Sequence, residues 1–225
     1  MTRVGVVSYP GACDDRDAMH AIGLMGAEPV ALWHADADLH GVDAVIVPGG
    51  FSYGDYLRPG ALAALSPVMA AVAAHAAAGR PVLGICNGFQ VLTEARMVPG
   101  VLRTNTHLQF RFQDVALRAE RESPWLPGVA AGDVLRIPMK HHDGCFFAPA
   151  DELAELERRG QVLLRYHGEN PNGSVGAVAC VTNEAANVCA LMPHPEHAVE
   201  ELIGSTDGRV LLQGLLDLAR SPVAA

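Results

Sequence analysis

Charge is scarce in this sequence: only 18% of its 225 residues are Asp, Glu, Lys or Arg, and no run of Lys or Arg forms a basic stripe. With a formal net charge of -9, the chain lacks the electrostatic footprint that a phosphate backbone selects, so nucleic acid is not an expected partner. Long apolar runs are missing as well. The nearest candidate, Ala61 to Ala78, is Ala-rich and interrupted by Ser66, Pro67 and His75, a poor membrane span. The N-terminus passes at once into Val4-Gly5-Val6-Val7, without the basic start and long apolar run of a signal peptide, so a cytoplasmic location is expected. The five cysteines, Cys13, Cys86, Cys145, Cys180 and Cys189, are odd in number and lack CxxC spacing, which argues against a disulfide framework and a zinc ribbon. Neither GxGxxG nor GxxxxGK[ST] occurs, so the chain offers no dinucleotide or ATP cradle.

What is present is apolar. Half of the residues are hydrophobic, enough to give one α/β domain over residues 1–225 a full core. Short β-branched runs alternate with Ala/Leu-rich segments in the first hundred residues, which predicts βαβ units and a mostly parallel central sheet flanked by helices. Strands are expected at Arg3 to Ser8, Pro29 to Trp33, Ala44 to Val47 and Pro81 to Ile85, with helices at Asp17 to Met25, Ala61 to Ala78 and Phe89 to Ala95. In the later half, Val115 to Arg118, Val162 to Tyr166 and Val175 to Val181 read as a smaller antiparallel portion. Val188 to Met192 reads as the last central strand and Gly208 to Arg220 as a closing helix.

Three segments carry chemistry. Gly84-Ile85-Cys86-Asn87-Gly88-Phe89-Gln90 follows a buried strand and has the form of a nucleophile elbow with cysteine in place of serine. A thiol there sits at a helix N-terminus, whose positive end favours thiolate; the bland alternative is a small buried hydrophobe at a strand end. Pro48-Gly49-Gly50-Phe51 ends the third strand at the same expected sheet edge, where the Gly50 and Asn87 amides would point at one oxyanion, or where the glycines merely make a tight turn. Pro193-His194-Pro195-Glu196 follows the last central strand. In extended chain Glu196 reaches the His194 imidazole, a base with its orienting carboxylate; taken alone the tripeptide reads equally as a solvated turn. His141-His142-Asp143 reads as a solvated or interface loop, since adjacent histidines do not converge on one metal ion, and no metal site is expected.

Together these segments resemble class I, triad-type glutamine amidotransferases, with their flavodoxin-like fold. Gly49-Gly50-Phe51-Ser52-Tyr53-Gly54-Asp55-Tyr56-Leu57-Arg58, the Cys86 elbow, Asn170-Pro171-Asn172-Gly173-Ser174 and Met192-Pro193-His194-Pro195-Glu196 are similar, more narrowly, to the glutaminase subunits of phosphoribosylformylglycinamidine synthase. The resemblance implies Cys86 as nucleophile, His194 as general acid and base, and Glu196 as its orienter. It places Gly50, Phe51, Asn87 and Gln90 at the glutamine pocket, with Gly50 and Asn87 amides in the oxyanion hole. It further implies a glutamyl thioester, ammonia passed to a large synthetase subunit that uses ATP and Mg, a small third subunit, and no cofactor in this chain. Two positions depart from the family pattern: His141-His142-Asp143-Gly144 replaces a His-Gly-Glu-Gly type loop, and His197 replaces Arg. The rival readings are a glutaminase serving another synthetase, a cysteine hydrolase on the same scaffold, and a non-catalytic glutamine-sensing subunit.

Overall fold

The computed structural model describes residues 1–221; residues 222–225 of the expected domain span lie outside the described residues. Five strands build the parallel half of one nine-stranded sheet: β1 (Arg3–Ser8), β2 (Glu28–Trp33), β3 (Ala44–Val47), β4 (Val82–Ile85) and β11 (Val188–Leu191). The order β2-β1-β3-β4-β11 continues through β10 (Val178–Thr182), β9 (Val162–Tyr166), β6 (Arg111–Ala119) and β7 (Val134–His141), all antiparallel to their neighbours. Two further strands, β5 (Val101–Arg103) and β8 (Cys145–Phe147), pair beside it. Every residue of β3, β4 and β11 is buried, which accounts for their continuous apolar sequences, whereas β2 at the edge is largely exposed.

Helices α1 (Asp15–Leu24), α2 (Pro67–Ala77), α3 (Asn87–Glu94), α4 (Ala150–Arg158) and α5 (Gly208–Arg220) flank this sheet. The strand order reverses between β1 and β3, so the loops leaving β1, β3, β4 and β11 meet at one carboxyl edge, the crevice where open α/β sheets bind ligands. Close approach of α3 to the sheet depends on Gly88: a Cβ there would lie 1.8 Å from the Val47 carbonyl oxygen.

The expected helix from Ala61 to Ala78 is shorter than its composition suggests. Ser66 is extended (φ -66, ψ 146), because the ring of Pro67 crowds the preceding residue, and α2 starts at Pro67, where a missing amide hydrogen costs nothing. Ala63–Leu65 forms only a 3-10 turn. Likewise β10 begins three residues later than expected, because Gly176 and Ala177 take φ near +56 and +55 in a 3-10 turn. Neither β7 nor α4 was expected from the pattern, and no helix among the described residues is long and apolar enough to cross a membrane.

Two glycines separate packing from propensity. Gly88→Ala should cost at least about 3 kcal/mol by overpacking, lowering Tm by roughly 6–12 °C. Gly23→Ala, in exposed α1 with nothing within 4 Å of the new methyl, should instead stabilise by about 0.5–1 kcal/mol. Thermal denaturation of both variants checks the contrast; equal shifts would contradict the tight α3 contact.

Candidate active site at the carboxyl edge of the sheet

Cys86 sits between β4 and α3 with φ 52 and ψ -107, a strained conformation for any residue with a side chain. Its amide donates to the Leu191 carbonyl (2.8 Å), and its own carbonyl accepts the amides of Phe89 (2.9 Å) and Gln90 (3.2 Å). Glycines make the turn sterically open: a Cβ on Gly84 would meet Leu92 at 2.5 Å. The elbow therefore forms as its sequence implies.

His194 leaves β11 with its amide bonded to the Pro138 carbonyl (2.8 Å), and its Nδ1 lies 2.7 Å from Glu196 Oε1. The route to that contact differs from the expected extended chain, since Pro195–His197 is a 3-10 turn. Both side chains are fully enclosed, and His194 Nε2 and Glu196 Oε2 have no protein partner. Burial pushes His194 down to about 3 and Glu196 up to about 8, so the enclosed pair resists carrying separated charges in this state.

The expectation of a thiolate-favouring environment is reversed. Desolvation by burial, reinforced by the charges of Asp14 and Glu196, holds the Cys86 thiol well above the ordinary range, and the Asn87 N–H and Lys140 offset only part of this. The thiol donates to the Lys140 carbonyl oxygen at 3.6 Å. The Cys86 thiol is thus held protonated, with its hydrogen directed at a main-chain carbonyl.

A small cavity of about 60 Å³ joins Cys86 to Gly50, Phe51, Gln90, Lys140 and His141. It is far below the ~300–1,000 Å³ of ligand pockets. A larger open groove of about 680 Å³, lined by Arg58, Glu94, Arg96 and Gln161 among others, contains none of these groups. Gly50 (φ 145) packs so closely on the loop after β1 that a Cβ would lie 2.7 Å from the Cys13 amide nitrogen. Asn87 and Gln90 are buried and linked: the Ser52 amide donates to Asn87 Oδ1 (3.1 Å), Asn87 Nδ2 to Gln90 Oε1 (2.8 Å), and Gln90 Nε2 to the Asp143 carbonyl (2.5 Å). The Phe51 amide is taken by the Gly11 carbonyl, and its half-exposed ring stands at the mouth.

His141 is no solvated loop residue. It ends β7, is 3% exposed, and burial together with the nearby His194 lowers it to about 3. Asn172 and Ser174 clamp the following turn through Gly144 and Phe146, which explains the Asn170 to Ser174 motif. Sequence reasoning missed Asp14 and Lys140, which form a 2.6 Å ion pair beside His194. Their only signals are an acidic residue leaving β1 at the shared sheet edge and a lysine in a chain otherwise basic through arginine. Asp14, His194, Glu196 and His197 offer ligand atoms within 4.8 Å of one another. Within this group Glu196 Oε1 is taken by His194 Nδ1 and Asp14 Oδ1 by Lys140, and the rings of His194 and His197 are stacked at an interplanar angle of 5°.

Residues 1–210 match the CobB/CobQ-like glutamine amidotransferase domain. The chain is 54% identical over 218 residues to the phosphoribosylformylglycinamidine synthase subunit PurQ of Leifsonia xyli, covering 96% of this chain and 94% of that one. It is 54% identical to the subunit of the same name from Streptomyces coelicolor, covering 95% and 96%. Among solved structures it resembles a chain of PurLQS from Thermotoga maritima, with TM-score 0.88, 41% identity, and 96% and 98% coverage. A putative GMP synthase subunit from Thermoplasma acidophilum, at TM-score 0.68 and 15% identity over 98% of this chain and 95% of that one, shares the fold.

With its folded pKa raised, the Cys86 thiol stays protonated through neutral pH. Alkylation of Cys86 in the isolated chain should be slow at pH 7 and keep rising to about pH 10 without a plateau, since a thiol reacts through its thiolate. Mass spectrometry of the Cys86 peptide, which separates it from exposed Cys13, checks this; a plateau below about pH 7 would contradict the resting geometry.

Proposed function

The chain belongs to the CobB/CobQ-like glutamine amidotransferase family, and from that membership we propose how its site divides the chemistry. It is the glutaminase subunit of a phosphoribosylformylglycinamidine synthase, acting in purine biosynthesis. The reading of the site rests above all on the 2.7 Å His194–Glu196 bond beside a cysteine on a strained elbow.

Glutamine binds with its side-chain amide over Cys86, lined by Gly50, Phe51, Asn87 and Gln90. The Cys86 proton passes to His194 Nε2, which has no other protein partner, while Glu196 holds the ring by Nδ1. Sulfur attacks the amide carbon, and the tetrahedral oxyanion is met by the Gly50 and Asn87 amides. His194 returns the proton to the departing nitrogen, releasing ammonia and leaving a glutamyl thioester. Water, deprotonated by the same imidazole, then releases glutamate. Ammonia goes to the large synthetase subunit, which supplies the ATP and Mg chemistry that converts formylglycinamide ribonucleotide to formylglycinamidine ribonucleotide; a small third subunit completes the assembly, in the cytoplasm. No cofactor is assigned to this chain. Docking of the partner is the event that opens the cavity and frees the thiol from the Lys140 carbonyl.

In the assembled complex, Cys86→Ala should abolish glutamine-dependent synthesis and leave ammonium-dependent synthesis within about twofold of wild type. His194→Ala should lower glutamine-dependent kcat by about 10²–10⁴, and Glu196→Gln by less, since an orienter contributes less than the base it holds. Product formation from each nitrogen source measures all three. Equal loss of both activities in Cys86→Ala would contradict the division of labour.

A further inference from the structure

Asp14 is a buried carboxylate with no part in the chemistry above. It occupies the N-cap position of α1, yet its side chain makes no capping bond, although such a bond ordinarily stabilises a helix. The side chain turns to the sheet edge, 3% exposed, where Oδ1 accepts Lys140 Nζ at 2.6 Å and Oδ2 lies 3.7 Å from His194 Nδ1. Gly49 makes the space: a Cβ there would lie 2.3 Å from Asp14 Oδ2 and 2.8 Å from His194 Cε1. Two carboxylates thus face one imidazole nitrogen, with Glu196 as the nearer.

Lys140 is the only lysine in the chain. Its side chain holds Asp14 while its main-chain carbonyl accepts the Cys86 thiol. One residue of β7 therefore ties the second carboxylate and the nucleophile together in the resting site.

We propose that Asp14 is a positioning residue of the glutaminase reaction: a second carboxylate that Lys140 restrains at rest and that shares the positive charge of His194 once Cys86 has given up its proton. The proposal rests on the roles of Cys86, His194 and Glu196 given above. The proton moves from sulfur to His194 Nε2 and then to the departing nitrogen, so Asp14 gains and loses none; it acts through charge alone. The titratable groups facing His194 are Asp14 from the loop after β1, Lys140 and His141 from β7, and Glu196 and His197 from its own turn, with Asp17 of α1 behind His197 at 3.0 Å. The charge of Asp14 favours the protonated ring, and Lys140 and His197 oppose it. Asp14 also holds the Cys86 thiol up, and Lys140 pulls it down.

Removing either charge therefore moves both groups together, in opposite senses for the two residues. Asp14→Asn should shift the pH profile of glutamine kcat/KM in the assembled complex, and of Cys86 alkylation in the full chain, to lower pH. Lys140→Gln should shift both to higher pH. In Asp14→Asn, glutamine-dependent kcat should fall about tenfold or more, with KM for glutamine changed less than about twofold and ammonium-dependent synthesis retained. Asp14→Glu should restore part of the kcat. Profiles that stay in place, shifts of the same sign in both variants, or a loss confined to KM would overturn the proposal. Should Asp14→Asn fail to fold, the upward shift in Lys140→Gln decides. If Cys86→Ala retained glutamine-dependent synthesis, the assignment of the nucleophile itself would fall; Cys86→Ala inactive with Asp14→Asn unshifted removes only the role of Asp14.

Discussion

The backbone of Cys86, held at φ 52 and ψ -107, is the constraint round which the site is arranged. Such a conformation costs on the order of 1–3 kcal/mol and persists only where its surroundings over-determine it. Here three main-chain hydrogen bonds fix the elbow to β11 and to the first turn of α3, and Gly84 and Gly88 let strand and helix approach closely enough for the bonds to form. Because the elbow also bonds to Leu191, it sets the end of β11 and hence the point from which His194 departs. Cys86 and His194 are thus positioned by one local geometry shared between two adjacent parallel strands.

Burial of charge is the second organising fact. Asp14 and Glu196 are two buried carboxylates, and Lys140 is the single ammonium beside them. Desolvation outweighs the helix terminus at Cys86, which is why the thiol rests protonated although its position on α3 favours thiolate. The small cavity and the thiol's bond to the Lys140 carbonyl belong to the same closed state. The loop after β7 walls the cavity: its Asp143 carbonyl accepts Gln90, and Asn172 and Ser174 pin its far end. Exposed Phe51 and Phe110 stand at the mouth of the cavity.

The sequence by itself determined the α/β architecture and most strand positions, and it singled out Cys86, His194 and Glu196 as candidates. Those features are local: β-branched runs that must be buried on both faces, glycines at fixed offsets from a cysteine, and a histidine two residues before a glutamate after a strand. Where local signals competed, it was less informative. Alanine content suggested a helix from Ala61, but the ring of Pro67 set its start. Flanking prolines suggested extended chain at His194, but Pro195–His197 closes into a 3-10 turn. What only the tertiary structure decided is the meeting of residues far apart in the chain. Asp14 and Lys140 are separated by 126 positions and become a pair because β1 and β7 deliver them to the same carboxyl edge. Whether a carboxylate there caps a helix or faces an imidazole depends on the space beside Gly49, and whether a thiol at a helix terminus ionises depends on how much water remains around it. Both are properties of the packed site, which no window of sequence contains.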